Sequence, residues 1–257
     1  MITINGKEAN YQQLISRFQQ NDIERKILKI LWDSSYKYDY DTEKQLNFEL
    51  AFRKEIIKAA YELHKTKLEF AVFRETICNA RYWRRQHDGG FLLREDVKPS
   101  DAIKDIFINP KLYSTECATA MVIVYYKALL NLFPEPLFNE LFDRIYLMNW
   151  HYIDNLLKEI GYMRSQPDYL PGDRRYVKNP DVDPSTPEWQ GENLIDMGNG
   201  IYYGHGMGMH RINAIISELN RNRRPGASQS AMLLDSAGRP NFKNLAKIYY
   251  DYLNGRQ

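Results

Sequence analysis

The sequence predicts an α+β fold: a central antiparallel sheet packed with helices, a helical N-terminal region, and a candidate nucleophile at the head of a buried helix. Three observations carry this. Apolar positions at helical spacing fill the first quarter of the chain, and short strand-like runs separated by Asp-Gly, Gly-Asn-Gly and Pro-rich turns fill much of the remainder. Cys117 stands where the polar stretch Tyr113-Ser114-Thr115-Glu116 meets the apolar segment Ala118 to Leu130. Unpaired amides and the positive end of the dipole at a helix start favour thiolate over thiol, and thiolate is the attacking species. No repeat or low-complexity linker interrupts the 257 residues. One domain is expected, with 1–64 as its helical N-terminal part and 65–257 as an α+β core.

The elements follow in order. One or two helices span Tyr11 to Trp32. Thr42 and Gln45 have capping-box spacing and open a long helix to His64, whose apolar positions cover more than one face and require burial on two sides; His64 reads as a cap. Phe70 to Phe73 is a short apolar strand. Ala80–Arg85 pairs with Phe91–Arg94 through His87-Asp88-Gly89-Gly90, where Asp-Gly supplies positive φ, so His87 reads as a turn residue. Ser100 caps a helix over Asp101–Phe107. The Cys117 helix follows, then a helix near Phe138–Arg144 leading into the strand-like Ile145–Trp150. Arg175–Pro180 reads as a strand, and Asn193–Met197 and Ile201–His205 as a hairpin around Gly198-Asn199-Gly200. A helix over His210–Arg221 and a helical tail from Phe242 to Leu253 complete the chain.

Composition excludes several classes. Lys and Arg number 35 against 33 Asp and Glu, so no global field points to nucleic acid or membrane, and the short run Arg221-Asn222-Arg223-Arg224 reads as a solvated helix end. The longest apolar run is shorter than a bilayer span and no secretory signal is visible, which leads to an expected intracellular, cytoplasmic location. Two cysteines argue for free thiols rather than a disulfide scaffold. Cys78 reads as a small buried hydrophobe, a reading also open to Cys117.

A second constellation, Trp189-Gln190-Gly191-Glu192-Asn193, precedes the hairpin, and His205 ends its return arm. Antiparallel pairing sets Glu192 or Asn193 across from His205 at one end of the sheet, an end able to face Cys117. A cysteine nucleophile needs a partner for its proton: usually histidine, alternatively a carboxylate raised by burial. Glu116 and Glu192 are the carboxylates and His205 the imidazole; each also has a structural reading, as helix cap, strand-end charge and turn histidine. His205 with His210 lacks a third ligand, so no metal is expected. The run Gly204-His205-Gly206-Met207-Gly208-Met209 lacks the ending and context of a phosphate loop.

Together the blocks from Tyr38 to Leu50, Leu63 to Phe73, Tyr113 to Leu130 (containing Glu116-Cys117-Ala118-Thr119), Phe142 to Tyr152, Pro187 to Gly198 and Tyr202 to Met209 resemble the spore-coat transglutaminases, the protein-glutamine gamma-glutamyltransferases of Bacillus-type spore formers. The resemblance runs from about residue 35 to 235. It implies a calcium-independent, cofactor-free enzyme on a papain-like core of the NlpC/P60 type. In it Cys117 is the nucleophile, Glu192 its main partner and Glu116 a partly substituting one, with His205 nearby. Phe70, Trp150 and Trp189 line a tunnel to the thiol, and Asn193 joins them in binding substrate. It further implies protein substrates bearing Gln and Lys, spore-coat proteins in the mother cell, acted on by a monomer without nucleic acid or membrane. The rivals are a cysteine amidase or peptidase with water as acceptor, and a non-catalytic coat protein with an inert Cys117.

Overall fold

The computed structural model describes residues 1–255, a mixed α+β arrangement of several small sheets and eight helices. At the N-terminus β1 (Ile2–Ile4) turns through Asn5-Gly6, both at positive φ, into β2 (Lys7–Glu8). Two helices, α1 (Tyr11–Ile15) and α2 (Ile23–Asp33), occupy the segment expected to hold one or two. The chain returns as β3 (Tyr38–Tyr40), parallel to β1. This small sheet is a departure from the purely helical expectation for residues 1–64; its strands are too short to carry a period of two.

The long helix α3 (Glu43–Thr66) forms as expected. Thr42 Oγ1 accepts the Gln45 N–H at 3.3 Å, whereas the Gln45 side chain reaches past Thr42 to accept the Asp41 N–H at 2.9 Å. Leu46 and Leu50 pack into the N-terminal cluster, while Phe48, Phe52, Ile56 and Leu63 pack into the main core. This two-sided burial explains why its apolar residues covered more than one face. His64 packs edge-on against Tyr203 at 6.0 Å.

Next come β4 (Glu69–Phe70), β5 (Trp83–Arg85) and β6 (Phe91–Leu93); β5 and β6 pair Arg85 with Phe91 around the expected turn, with Gly89 at φ 93. The helix α4 (Pro99–Ile108) starts earlier than expected, with Pro99 in its first turn, where a missing N–H costs nothing. Ser100 therefore does not cap it; its N–H donates to Asn139 Oδ1 and its hydroxyl to Glu135. After β7 (Ser114–Thr115), which pairs parallel with β4, comes α5 (Cys117–Leu132), then α6 (Glu135–Leu141) and β8 (Tyr146–Leu147). Pro136 sets the start of α6 three residues before the expected Phe138. Only two residues of the expected strand over 145–150 pair with β6, because Asn149 adopts a left-handed φ of 37.

The main sheet has the order β12-β11-β10-β9-β13 and is antiparallel throughout: β9 (Arg174–Lys178), β10 (Gly191–Gly198), β11 (Ile201–Gly204), β12 (Gly208–Arg211) and, after α7 (Ile212–Arg221), β13 (Met232–Leu233). The expected hairpin is β10–β11, with Leu194 opposite Gly204 and a bulge between Asp196 and Gly198. The glycine-rich run is a second turn, and His210 pairs with Tyr202 in β12 instead of opening a helix. The tail is α8 (Phe242–Asn254).

All of this surrounds α5. Residues 120–126 are buried without interruption, and α3, α4, α6, β8 and β10 enclose the helix. A buried ion cluster ties α3 to the strand beside it: Arg53 donates to Glu49 at 2.8 Å and to Asp173 at 2.9 Å, and Arg239 donates to both oxygens of Asp173. Burial pushes the Asp173 carboxyl up, but Arg53 and Arg239 outweigh it and hold the group below its usual range. Removing one partner of a buried pair leaves a charge without compensation. Arg53→Met is expected to lower urea-unfolding stability by on the order of 3 kcal/mol. An unchanged midpoint would mean that Arg239 alone neutralises the cluster.

Candidate active site

Cys117 is the first residue of α5, and Glu116 is its N-cap, with Oε1 accepting the Thr119 N–H at 2.7 Å and Oε2 the Ala118 N–H at 2.5 Å. The cap satisfies two of the amides a helix start leaves open. The cap reading of Glu116 is therefore realised, and it also leaves the carboxylate beside the thiol. Parallel pairing of β4 with β7 brings Phe70 to the same end.

The thiol opens into a cavity of about 940 Å³ lined in part by Phe70, Phe73, Glu116, Cys117, Trp150 and Asn193. Asn149 turns the chain after β8, its N–H held by Thr119 Oγ1 at 2.8 Å, and Trp150 follows it into the cavity wall. Asn193, on β10, donates from Nδ2 to Cys117 Sγ at 3.5 Å. Trp189 does not line this cavity. It packs on the cluster containing Val177, Leu194, Ile215 and Leu219, and its carbonyl accepts from Asn179 Nδ2. The expected third tunnel aromatic is thus a packing residue here.

Glu192 is buried, and its Oε1 has no hydrogen-bond partner among the described residues. It lies so close over β11 that a Cβ on Gly204 would stand 2.8 Å from Oε1 and 3.0 Å from Cγ. Burial, then the Glu116 charge, push the Glu192 carboxyl well above the usual range, with the His205 backbone amide pulling it back. Burial also raises Glu116, against its bonds from Thr119 and Ala118. For Cys117, burial comes first and the charges of Glu192 and Glu116 follow, pushing the thiol well above its ordinary value; Asn193 opposes them. The helix-start argument for a resting thiolate is therefore outweighed. Two carboxyls and a thiol in one dry space repel each other's charges, so the resting thiol is held protonated.

His205 occupies a different role from the expected imidazole partner. Its Nε2 faces the Thr115 and Glu69 carbonyl oxygens at 3.1 and 3.3 Å, so that nitrogen carries the hydrogen and donates to both. Burial pushes the imidazole down to about 4, and the ring stays neutral. His205 joins β4 and β7 to the sheet end and touches no atom of Cys117 through this nitrogen. Sequence reasoning missed Arg174 and Tyr176, both on β9 and both on the cavity wall. Neither belonged to a recognisable motif, and the expected strand began one residue too late to include Arg174.

The arrangement defines a class: an α+β protein with a cysteine at a helix start, flanked by two buried carboxyls and opening to an aromatic-walled cavity. The chain belongs to the protein-glutamine gamma-glutamyltransferase family, whose sequence profile matches residues 1–249 and so includes the N-terminal segment that the motif resemblance left out. It is similar to protein-glutamine gamma-glutamyltransferases of Bacillus cereus, 46% identical over 240 residues, and Bacillus anthracis, 45% identical over the same length; each alignment covers 93% of this chain and 86% of the relative. Its fold is similar to a solved transglutaminase from Geobacillus stearothermophilus (without C-terminal extension), with a TM-score of 0.77 and 47% identity over 81% of this chain and 98% of that one. Family members are acyltransferases, and this chain is an enzyme of that kind.

Two tests follow from the site's packing. Gly204→Ala is expected to displace the Glu192 carboxyl and reduce activity about as much as Glu192→Gln, since the added Cβ meets Oε1 at 2.8 Å; full activity would show that Glu192 moves without cost. His205 has a folded-state value near 4 against an ordinary 6.5, so an unfolded chain binds a proton there that the native one does not. That stability is complete above about pH 6.5 and is lost as pH falls towards 4, by on the order of 3 kcal/mol. The urea midpoint of wild type minus that of His205→Gln is expected to fall across this window; a flat difference would refute the neutral buried imidazole.

Proposed function

We propose that this protein crosslinks proteins through a thioester on Cys117, joining a glutamine side chain to a lysine amine, without calcium or a cofactor. The observation that carries this is the placement of the thiol: at a capped helix start, open to the aromatic cavity, with Asn193 on Sγ and Glu192 raised by burial. Glu192 as carboxylate takes the thiol proton while sulfur attacks the glutamine Cδ. Cys117 opens α5, so its own amide N–H has no intrahelical acceptor and is suited to the oxyanion. Protonated Glu192 returns its proton to the departing nitrogen, ammonia leaves, and a thioester remains. A lysine amine then attacks, gives its proton to Glu192 and displaces sulfur, which is reprotonated. Glu116, fixed by two amide bonds, is the subsidiary base. The walls of Phe70 and Trp150 keep water from the thioester while admitting a long, thin amine.

We further read the chain as one domain whose α5 and β9–β11 form a papain-like core of the NlpC/P60 type, because a cysteine-headed helix packs against an antiparallel sheet carrying its partner residues. The motif resemblance to the enzymes of spore formers, together with relatives in Bacillus species, supports spore-coat proteins as substrates and the mother cell as the site of synthesis; the monomeric state rests on the motif resemblance alone.

Incorporation of a fluorescent primary amine into casein in the presence of EGTA tests the reading. Wild type is expected to incorporate it, Cys117→Ala to lose all incorporation, and Glu192→Gln to lose about 10²-fold or more, with a smaller loss for Glu116→Gln. Release of glutamate without amine uptake would instead indicate an amidase, and a dependence on added calcium would remove the metal-free part of the proposal.

A further inference from the structure

Arg174 is buried, and among the described residues no Asp or Glu forms an ion pair with it. Arg53 and Arg239, by contrast, share Asp173. The Arg174 guanidinium donates from Nε to the Ile160 carbonyl at 2.8 Å, from Nη2 to Gly161 at 3.2 Å, and from Nη1 to Asn193 Oδ1 at 2.8 Å, and it lies 4.2 Å over the Trp150 ring. A Cβ on Gly238 would stand 2.9 Å from Nε, so the seat accepts only glycine at that point. Arg175 also donates to carbonyls, of Leu234 and Ser236, so a buried arginine without a carboxylate is not in itself a function. The difference lies in what Arg174 holds.

Asn193 bridges the guanidinium and the thiol. A guanidinium has only donors, so it accepts no contact from an amide NH2 and selects the orientation with Oδ1 towards itself. That choice turns Nδ2 towards Sγ, as found. The other ionisable groups around the thiol are acids: Glu116 at the head of α5, Glu192 on β10, and Tyr176 on β9, which burial, then the charges of Cys117 and Glu192, push up to about 12. His205 is neutral, and Lys158 and His151 sit on the outer cavity wall.

We propose that Arg174 is the positioning residue of the thiol site, fixing the Asn193 amide N–H on Sγ and supplying the buried positive charge against which the thiolate forms. This rests on Cys117 being the nucleophile. A buried cation without a carboxylate costs folding stability, and the cost is offset when a negative charge forms beside it. The transfer of the thiol proton to Glu192 would otherwise only move negative charge among groups that repel each other.

The test is the pH dependence of Cys117 alkylation by iodoacetamide, in a Cys78→Ala background, alongside kcat and KM for amine incorporation. Arg174→Gln is expected to move the alkylation midpoint up by about one pH unit or more and to lower kcat on the order of 10²-fold with little change in KM. Arg174→Lys is expected to restore the midpoint more than kcat, because it keeps the charge and loses the planar fork. Asn193→Ala should move the midpoint the same way, and adding Arg174→Gln to it should cost less than the two separate losses combined. An unchanged midpoint in Arg174→Gln overturns the proposal whatever happens to activity. If the arginine variants do not fold, Asn193→Ala, which removes no buried charge, decides: an unchanged midpoint there overturns it equally. Incorporation that survives Cys117→Ala would instead defeat the reading of the nucleophile.

Discussion

A helix that is apolar on every face has to begin somewhere, and the beginning of α5 is the constraint around which this molecule is organised. Its interior from Ala120 to Tyr126 is fully enclosed, so its first amides emerge at the bottom of a cavity. Glu116 satisfies two of them through one carboxylate, and in doing so fixes a negative group beside the next residue, the cysteine. The same bond that terminates a secondary structure thus sets the electrostatics of the thiol. The main sheet reinforces the position from the other side, where β10 delivers Glu192 and Asn193 in succession.

The site's burial also sets the protonation of its histidine. Burial at the junction of β4, β7 and the sheet depresses the imidazole's affinity for protons and outweighs its two carbonyl acceptors, which pull the other way. A carboxyl buried nearby shifts the opposite way. Burial therefore moves the two residue types in opposite directions, with the Glu116 charge adding to the rise at Glu192. What the acids lack is a counter-charge, which the neighbouring strand provides.

Much of this was legible in the sequence. The Cys117 helix, the two-sided α3, and the β5–β6 and β10–β11 hairpins follow from periodicity and from turns that require positive φ. The Glu116-Cys117 pair and the Gly191-Glu192-Asn193 run pointed to the right end of the sheet. The residues that escaped did so for physical reasons. Trp189 is an aromatic next to a functional run, but its neighbours on the sheet face form a cluster of their own. In the N-terminal sheet β3 pairs with β1 across more than thirty residues, a contact no local pattern encodes, whereas the β1–β2 turn at Asn5-Gly6 is a local signal that the sequence reading passed over. Arg174 and Arg175 are identical in type and adjacent on one strand; only the alternation of side chains sends one to the thiol and the other to Tyr169.

The left-handed Asn149 has a mechanical consequence. Its N–H is held by the hydroxyl of Thr119, the third residue of α5, so the turn that projects Trp150 is latched to the same helix that carries the thiol. One hydrogen bond therefore ties this wall to the helix that carries the sulfur. The exposed turn at Pro187, Glu188 and Gln190 also lines the cavity, and among the described residues its side chains make no hydrogen bond to α5. One part of the cavity wall is thus tied to the helix that carries the thiol, and another part is not.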